Sequence, residues 1–277
     1  MMSSHWFLTG ASSGIGRCLA EIILGAGDDL TVTVRNPEAI RDLAEQYPNQ
    51  LFVERLDVTD TAGVTAAAAR SQARRPVDIL VNNAGGGVIG ATEELSDADV
   101  EGQIALNLLA PIHVTRAFIP AMRTRGGGRI IQISSASGQG SLPTSSMYHA
   151  AKWGLEGFSE CLRQELDPFG VFVTLIEPGG VRTGFGSNLR YSPANDAYRD
   201  TPAGQIRTMF ENAGDELYTL DPRKIAREIF SVAKSEAPPL RLTLGGDAFG
   251  VVQAALRSRL TFLESQEQLA RSVAFDR

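Results

Sequence analysis

Cysteine is scarce in this chain. Its 277 residues include two cysteines, Cys18 and Cys161, and these lack the paired spacing of a zinc site or of a disulfide framework. The sequence therefore predicts no metal centre and no structural disulfide. Both cysteines fall in helical patterns, where we expect them to be small, buried apolar side chains.

Basic residues are also fewer than acidic ones. The chain has 26 Lys and Arg against 32 Asp and Glu, which gives a net charge of −6 at pH 7. A protein that binds nucleic acid usually presents a basic patch to the phosphates. We therefore expect no nucleic-acid partner.

Long hydrophobic runs are missing as well. No stretch approaches the roughly 18 consecutive apolar residues that span a bilayer. The N-terminus enters a predicted strand at His5–Leu8, without the charged and apolar regions of a signal peptide. These absences predict a cytoplasmic protein with no membrane partner.

What the chain does have is a regular alternation of short apolar strands and longer helical patterns. This alternation is typical of βαβ units and predicts an α/β fold, a Rossmann-like doubly wound parallel sheet of about seven strands with helices on both faces. The predicted strands are His5–Thr9, Asp29–Arg35, Leu51–Arg55, Ile79–Asn82, Arg129–Ser134, Val171–Glu177 and Leu240–Leu244. The predicted helices are Ile15–Gly25, Pro37–Tyr47, Thr61–Arg74, Ser96–Arg125, Met147–Asp167 and Pro222–Lys234.

Residues 1–277 fit a single domain, since α/β domains of this size are common. Two regions depart from the alternation: the polar, aromatic-containing segment Thr183–Gly214 and the helical tail Phe249–Arg277. We consider three alternatives for the tail: it covers a pocket, extends a subunit contact or folds against the body.

A glycine-rich turn connects the first strand to the first helix. Glycines at such a turn bring backbone amides close to a phosphate, and the positive end of the helix dipole favours the pyrophosphate of a dinucleotide. The alternative is a tight turn with no ligand. The predicted cofactor-binding residues here are Gly10, Ser12, Ser13, Gly14, Ile15 and Gly16.

The end of the second strand bears on the choice of nicotinamide. NAD-binding folds place an acidic residue about 20 residues beyond the loop to bind the ribose 2′-hydroxyl, whereas this chain reads Thr33-Val34-Arg35-Asn36. Arg35 suits a 2′-phosphate, which a carboxylate would repel. The pattern predicts NADP(H) rather than NAD(H), with Arg17 as a further basic residue near the phosphate.

Tyr148 and Lys152 are four residues apart in a helical pattern, so both lie on one helix face. Transfer of a proton to or from a carbonyl oxygen needs a group whose pKa is near neutrality. A free phenol titrates near pH ~10, and an ammonium about 4 Å away would lower that pKa. We therefore expect Lys152 to lower the pKa of Tyr148.

These motifs together resemble the short-chain dehydrogenase/reductase family. The resemblance rests on the glycine spacing Gly10-x-x-x-Gly14-x-Gly16 and on Tyr148-x-x-x-Lys152. It is supported by Ser135, thirteen residues before Tyr148, and by Asn107 in the preceding long helix. The motifs run from residue 5 to about residue 183.

The resemblance implies a hydride transfer between NADP(H) and a carbonyl or alcohol. In this expectation Tyr148 is the general acid/base, Lys152 tunes it and holds the nicotinamide ribose, and Ser135 binds the substrate oxygen. Asn107 supports a water relay to Lys152. The choice of Ser135 over Ser134 rests on spacing and fails if Ser134 faces the pocket.

The resemblance also implies further cofactor contacts after the third, fourth and sixth strands. The expected contacts are Asp57 and Val58 at the adenine, Asn83, Ala84 and Gly85 beside the cofactor, and Pro178, Gly179, Val181 and Thr183 at the nicotinamide.

By the same resemblance, Thr183–Gly214 is the expected substrate lid. Two alternatives stand for its aromatic residues: they favour an apolar or aromatic carbonyl substrate, or they serve only to pack the lid against the body. A homodimer or homotetramer is expected. Two alternatives remain: a non-catalytic NADP(H)-binding regulatory protein on the same fold, and a sugar-nucleotide epimerase or dehydratase. We expect a structural or solvent-facing role for His113 and His149.

Overall fold

The computed structural model describes residues 3–212 and 214–275. Its main sheet has seven strands in the order β3-β2-β1-β4-β6-β7-β9, and all neighbouring strands are parallel. The predicted Rossmann-like fold is therefore confirmed. The strands in chain order are β1 His5–Thr9, β2 Asp29–Val34, β3 Leu51–Arg55, β4 Ile79–Asn82, β5 Val88–Ile89, β6 Gly128–Ile133, β7 Val171–Pro178, β8 Arg190–Tyr191 and β9 Arg241–Leu244.

The predicted helical segments are helical, with small shifts at their ends, and further helices lie within Thr183–Gly214 and near the C-terminus. They are α1 Gly14–Gly25, α2 Arg41–Gln46, α3 Thr61–Arg74, α4 Asp97–Ile104, α5 Ala110–Arg125, α6 Ser146–Leu166, α7 Gly184–Ser187, α8 Pro202–Glu211, α9 Pro222–Ala233, α10 Gly246–Glu264 and α11 Glu267–Arg271.

Two predicted helices are interrupted. The segment predicted as one helix over Pro37–Tyr47 begins with a 3-10 turn, Pro37–Ile40, before α2. The long helix predicted over Ser96–Arg125 contains a π-helical turn, Ala105–Leu109, between α4 and α5. Periodicity alone predicts a helix but does not distinguish these tighter or wider turns.

The direction of chain progression reverses between β1 and β4, which are neighbours at the centre of the sheet. Ligands of open parallel sheets bind in the crevice outside the carboxyl ends of the strands at such a switch point. The ends of β1 at Thr9 and of β4 at Asn82 therefore mark the edge where a nucleotide is expected.

Side chains of β1 alternate between two cores, as the two-residue period of a strand requires. Trp6 and Leu8 pack with α1 and α9 on one face of the sheet. Phe7 packs on the other face with Phe118 of α5, the two rings lying 4.6 Å apart between centroids. Helices thus cover both faces of the sheet and hold the strand ends in position.

The combined helical segment Asp97–Arg125 is long and apolar enough to cross a membrane, with a mean hydropathy of 1.3 over its best window. The run-length argument from the sequence did not anticipate this. Length and hydropathy are weak evidence by themselves, because the core helix of a globular domain meets the same criteria. Here Val114, Phe118 and Met122 are buried in the core beside α3 and β6.

The start of the C-terminal tail folds against the body, one of the three alternatives for it, whereas the later part of the tail is largely exposed, as at Leu263 and Phe275. Ala248 and Val252 of α10 form a small buried cluster with Ala136. Arg259 of α10 lies 4.8 Å from the ring centroid of Trp153 in α6. Residues 276 and 277 of the predicted tail lie outside the described residues.

One cysteine prediction is wrong. Cys18 is partly buried against the first core, but Cys161 is exposed. The buried face of α6 passes through Lys152, Glu156 and Ser159, and Cys161 lies away from it.

We predict that Phe118→Ala lowers the free energy of unfolding by about 3–5 kcal/mol, because removal of a fully buried ring leaves a cavity in the core. Urea denaturation measures the change. Phe169→Ala is the matched control, since that ring is 42% exposed and its loss should cost less than ~1 kcal/mol. Equal losses in the two variants would contradict the packing of α5 described above.

Candidate active site

The glycine-rich loop is shaped by two glycines in the left-handed region, Gly10 at φ +72° and Gly14 at φ +57°. A Cβ at Gly10 would lie 2.9 Å from the Cα of Ala84, and a Cβ at Gly16 would lie 2.2 Å from the carbonyl oxygen of Gly10. Side chains are therefore excluded at these positions. The loop ends at the N-terminus of α1, where backbone amides and the helix dipole favour an anion.

Asn83 holds the loop to the neighbouring strand end. Its Nδ2 donates to the carbonyl oxygens of Thr9 at 2.9 Å and Gly10 at 2.8 Å. The Thr9 hydroxyl in turn accepts from the backbone amides of Asn83 at 3.0 Å and Ala84 at 3.1 Å. Asn83 thus ties the end of β4 to the end of β1.

The segment after β7 approaches the same loop. A Cβ at Gly14 would lie 2.9 Å from the Cβ of Thr183, and the Thr183 hydroxyl accepts from the amide of Phe185 at 3.1 Å. Pro178 ends β7 and Val181 is buried. The glycine-rich loop and this segment therefore meet at one edge of the sheet.

A cavity of about 450 Å³ lies at the ends of β2 and β3. Arg35, Arg55, Leu56 and Asp57 line it, while Val58 is buried beside it. Hydrogen bonds from Thr59 lower the pKa of Asp57, and Arg35 lowers it further. An ionised Asp57 is a suitable acceptor for an exocyclic amine.

The two arginines in this cavity differ from Arg17. Within residues 3–212 and 214–275, neither Arg35 nor Arg55 forms an ion pair. Arg17, in contrast, is bound by Glu21 at 2.9 Å and by Asp42, so it does not serve as a free cation near the phosphate as we expected. Sequence reasoning missed Arg55, although its place at the end of β3 was a usable signal.

Tyr148 and Lys152 lie on one face of α6, as predicted. The Tyr148 hydroxyl is hydrogen-bonded to Ser135, and the ammonium of Lys152 lies 5.6 Å from the centroid of the Tyr148 ring. Lys152 is buried and donates to the carbonyl oxygen of Ile133 at 2.8 Å. The end of β6 therefore positions both side chains.

The two serines after β6 point in different directions. The Ser134 hydroxyl is buried and donates to the Glu156 carboxylate at 2.5 Å. Ser135 instead caps the following 3-10 turn by accepting from the amide of Ser137 at 3.1 Å, and it faces Tyr148. The geometry thus favours Ser135, as the spacing predicted.

The pKa of Tyr148 is shifted in the direction opposite to our expectation. Burial raises the pKa of Tyr148 to about 12, although the hydrogen bond from Ser135 opposes that shift. Burial also lowers the pKa of Lys152 to about 8, with Glu156 acting in the opposite direction. The expected lowering of the phenol pKa by Lys152 is therefore wrong for the chain without a cofactor, because desolvation dominates.

Asn107 lies in the π-helical turn and is buried. Its Nδ2 donates to the carbonyl oxygen of Gly86 at 2.9 Å, and its Oδ1 accepts from the Gly86 amide at 3.2 Å. These bonds hold the loop after β4 beside α6. Wide turns of this kind occur often at functional sites.

The segment predicted as a lid forms α7, β8 and α8, with Ala213 outside the described residues. β8 pairs in parallel with β5. Each of these strands has two residues, which is too short to be predicted from the sequence pattern. Phe185 of α7 lies 5.9 Å from Tyr148 between ring centroids. At least one lid aromatic therefore borders the candidate catalytic tyrosine.

His149 has a structural role. Its Nε2 accepts from the amide of Leu142 at 3.1 Å, and its Nδ1 lies 2.9 Å from the carbonyl oxygen of Ser137. These bonds brace the loop between Ser135 and Tyr148, in agreement with our expectation.

A buried charge cluster behind the site escaped the sequence reasoning. Glu156 follows Lys152 by one helical turn and binds Arg241 of β9 at 3.0 Å, while Glu177 lies 3.3 Å from the same arginine. Burial raises the pKa of Glu156. The i, i+4 spacing between Lys152 and Glu156 was a signal in the sequence, but Arg241, the partner of Glu156, is distant in sequence.

The chain matches the family model for short chain dehydrogenase over residues 4–193. It is 35% identical over 250 residues to an oxidoreductase, BOA17, of Botryotinia fuckeliana, which covers 89% of this chain and 90% of that protein. The chain belongs to the short-chain dehydrogenase family. This short-chain dehydrogenase is thus an oxidoreductase with a nucleotide-binding fold.

Solved structures agree with this assignment. A short-chain dehydrogenase from Streptomyces avermitilis superposes with a TM-score of 0.91 at 39% identity, covering 99% of this chain and all of that one. A metagenomic short-chain oxidoreductase in complex with NADP has a TM-score of 0.70 at 27% identity, covering 88% and 97%. A Burkholderia phymatum protein in complex with NAD shares the fold, with a TM-score of 0.78 at 24% identity, covering 95% of each chain.

We predict that Lys152 makes the stability of this short-chain dehydrogenase rise with pH. Its folded pKa of about 8 lies below the ordinary value of 10.5, so the unfolded chain binds more protons between these pH values. The free energy of unfolding should increase by roughly 3 kcal/mol from pH 8 to pH 10.5 on this account.

Urea denaturation of the wild type and Lys152→Met across this range tests the prediction, since the variant should lack the rise. Lys224→Met, at an exposed lysine, is the control and should retain it. Parallel curves for wild type and Lys152→Met would contradict a buried, destabilised ammonium.

Proposed function

We propose that the chain transfers a hydride between NADP(H) and a carbonyl or alcohol, with Tyr148 as general acid/base. The observation that carries the proposal is the placement of Tyr148 beside Ser135 and a buried Lys152. These groups lie at the same sheet edge as the glycine-rich loop. When bound there, the nicotinamide would supply or accept the hydride.

The proton donor of a carbonyl reduction must be protonated, and a phenol with a pKa of about 12 is protonated at neutral pH. It is also a weak acid, so proton transfer needs a charge that stabilises the phenolate. Ser135 offers a second hydroxyl to the carbonyl oxygen and fixes the phenol by its hydrogen bond. In this proposal Lys152 holds the ribose and stabilises the phenolate, and Asn107 orders the neighbouring loop for a water relay.

The glycines fit a dinucleotide because their missing side chains leave the backbone of Gly10, Gly14 and Gly16 open to a pyrophosphate. At the adenosine end, Arg35 and Arg55 line one cavity with no carboxylate bound to either in the described part of the chain. Two free guanidinium groups favour a 2′-phosphate over a hydroxyl. We therefore propose NADP(H) as the cofactor.

The substrate is proposed to be a small carbonyl or alcohol with an apolar or aromatic group. Phe185 borders Tyr148 at 5.9 Å between ring centroids, and Phe185 and Leu189 both lie against Gly87. An apolar substituent would replace water against these side chains.

A homodimer or homotetramer remains a proposal, as does a cytoplasmic location. Leu109, at the start of α5, and Trp153 of α6 are 43% and 41% exposed. These apolar side chains lie on the helices that carry Asn107 and Tyr148, and they support a subunit contact there.

We predict that Tyr148→Phe reduces turnover at least 1,000-fold, roughly the contribution of general acid catalysis, and leaves the NADPH dissociation constant within about twofold. The measurement is a panel of ketones, aldehydes and alcohols followed at 340 nm with each nicotinamide. Tyr47→Phe, at a tyrosine distant from the site, is the matched control. Substantial reduction by Tyr148→Phe would refute the assignment. Saturable NADPH binding without turnover of any substrate by the wild type would favour the regulatory alternative.

We predict that Arg35→Ala and Arg55→Ala each lower kcat/KM with NADPH by roughly 10–100-fold, because a bond to a charged group contributes about 1.5–3 kcal/mol. The values with NADH should change less than about threefold. Arg41→Ala is the control, since that exposed arginine binds Glu38 and Glu45 instead. Equal losses with both nucleotides would refute recognition of the 2′-phosphate.

A further inference from the structure

We propose that Asp247, in the first turn of α10, is a positioning residue for the nicotinamide-binding segment after β7. The inference rests on the proposed function, because it assigns that segment to the cofactor. It brings the C-terminal helix into the active site, although none of the recognised motifs includes α10.

The contact is a hydrogen bond between a side chain and a backbone amide 67 residues apart. The amide of Gly180 donates to Asp247 Oδ2 at 2.7 Å. A carboxylate acceptor makes this a charge-assisted bond, stronger than one between neutral groups. The carboxylate also lies at the N-terminus of a 19-residue helix, where the helix dipole favours a negative charge.

The carboxylate lies against two glycines that leave no room for side chains of their own. A Cβ at Gly179 would lie 2.1 Å from Asp247 Oδ2, and a Cβ at Gly245 would lie 2.5 Å from Oδ1. Gly245 also has φ +114°, a conformation that favours glycine. Two glycines thus make a socket for the Asp247 carboxylate against the Gly179–Gly180 peptide.

The rest of the segment is held by backbone partners from the same C-terminal third of the chain. The Gly179 amide donates to the carbonyl oxygen of Leu244 at 3.0 Å, and the Gly180 carbonyl accepts from the Leu220 amide at 3.0 Å. A Cβ at Gly180 would meet the carbonyl oxygen of Leu217 at 2.0 Å. The Gly180 amide is the group that depends on a side chain, and Asp247 supplies it.

This arrangement matters for the cofactor because Val181 and Thr183, two of the expected nicotinamide contacts, come within three residues of Gly180. Thr183 approaches Gly14 of the glycine-rich loop, so a shift of Gly180 would change the position of Thr183 against that loop. Asp247 is itself exposed and buries no apolar surface with its carboxylate. We infer that its hydrogen bond to the Gly180 amide orients this segment.

The rest of α10 is anchored on the catalytic side. Arg259 stacks on Trp153 of α6 at 4.8 Å and donates to Gln139 at 3.3 Å. Trp153 donates in turn to the carbonyl oxygen of Gly140 at 3.0 Å. The helix that carries Asp247 is therefore fixed to the same elements as Tyr148.

The test compares Asp247→Ala and Asp247→Asn with the wild-type chain. We expect Asp247→Ala to weaken NADPH binding roughly tenfold and to lower kcat, with its melting temperature lowered no more than that of the control variant described below. Asp247→Asn keeps a neutral acceptor and should recover most of the binding. Fluorescence titration of NADPH gives the dissociation constant, and thermal denaturation gives the stability.

Asp221→Ala is the matched control. Asp221 also accepts from a backbone amide at 2.7 Å, that of Arg223, and caps α9. Its loss should lower stability while leaving NADPH affinity within about twofold. Equal losses of affinity in Asp221→Ala and Asp247→Ala would overturn the proposal, as would unchanged affinity in Asp247→Ala.

Hydrogen exchange of the cofactor-free chain separates this inference from the proposed function. Asp247→Ala should accelerate exchange of the Gly180 amide, read from peptides that cover residues 179–183, whether or not NADPH binds. Unchanged exchange there would overturn the proposal. Failure of the wild type to bind or use NADPH would instead refute the proposed function, and accelerated exchange would then support the structural half of the inference.

Discussion

The close approach of two backbones at the centre of the sheet determines the rest of the site. Gly10 and Ala84 meet where β1 and β4 end, at a distance that leaves no room for a side chain on Gly10. Asn83 and Thr9 close the contact with hydrogen bonds in both directions. The glycine-rich loop leaves β1 at this contact and leads to the N-terminus of α1. The other residues expected to bind a nucleotide are arranged around this loop.

Burial governs the chemistry of the catalytic pair. Without a cofactor, desolvation raises the pKa of Tyr148 and lowers that of Lys152, so the two groups are driven toward their neutral forms. A positive charge or a bound ribose beside Lys152 would change this balance. In the proposed mechanism Tyr148 starts out protonated, and the ammonium of Lys152 acts on it once the ribose is in place.

Much of the fold could be predicted from the sequence because the signals are local. Apolar runs identified the strands of the main sheet, and spacing along α6 placed Tyr148 and Lys152 on one face. The choice between Ser134 and Ser135 also followed from spacing, and the geometry favours it. These predictions depend on periods and on short intervals, which the backbone geometry fixes.

Predictions failed where the sequence pattern does not say which partner or which helix face a side chain takes. Arg17 was expected near a phosphate, but Asp42 and Glu21 bind it. Cys161 was expected to be buried, but α6 turns it to the solvent. The Glu156–Arg241 pair and the contact of Asp247 with Gly180 join segments 85 and 67 residues apart, and no local pattern reports such pairs.

The π-helical turn at Ala105–Leu109 has a consequence for the evolution of this helix. It accommodates one more residue than an α-helical turn, so the faces of α4 and α5 are offset by about 100° relative to a continuous helix. Deletion of a single residue there would restore a regular helix and rotate one half against the other. Either Asn107 would leave Gly86 or Phe118 would leave the core. The length of this segment is therefore constrained as strictly as the identity of its asparagine.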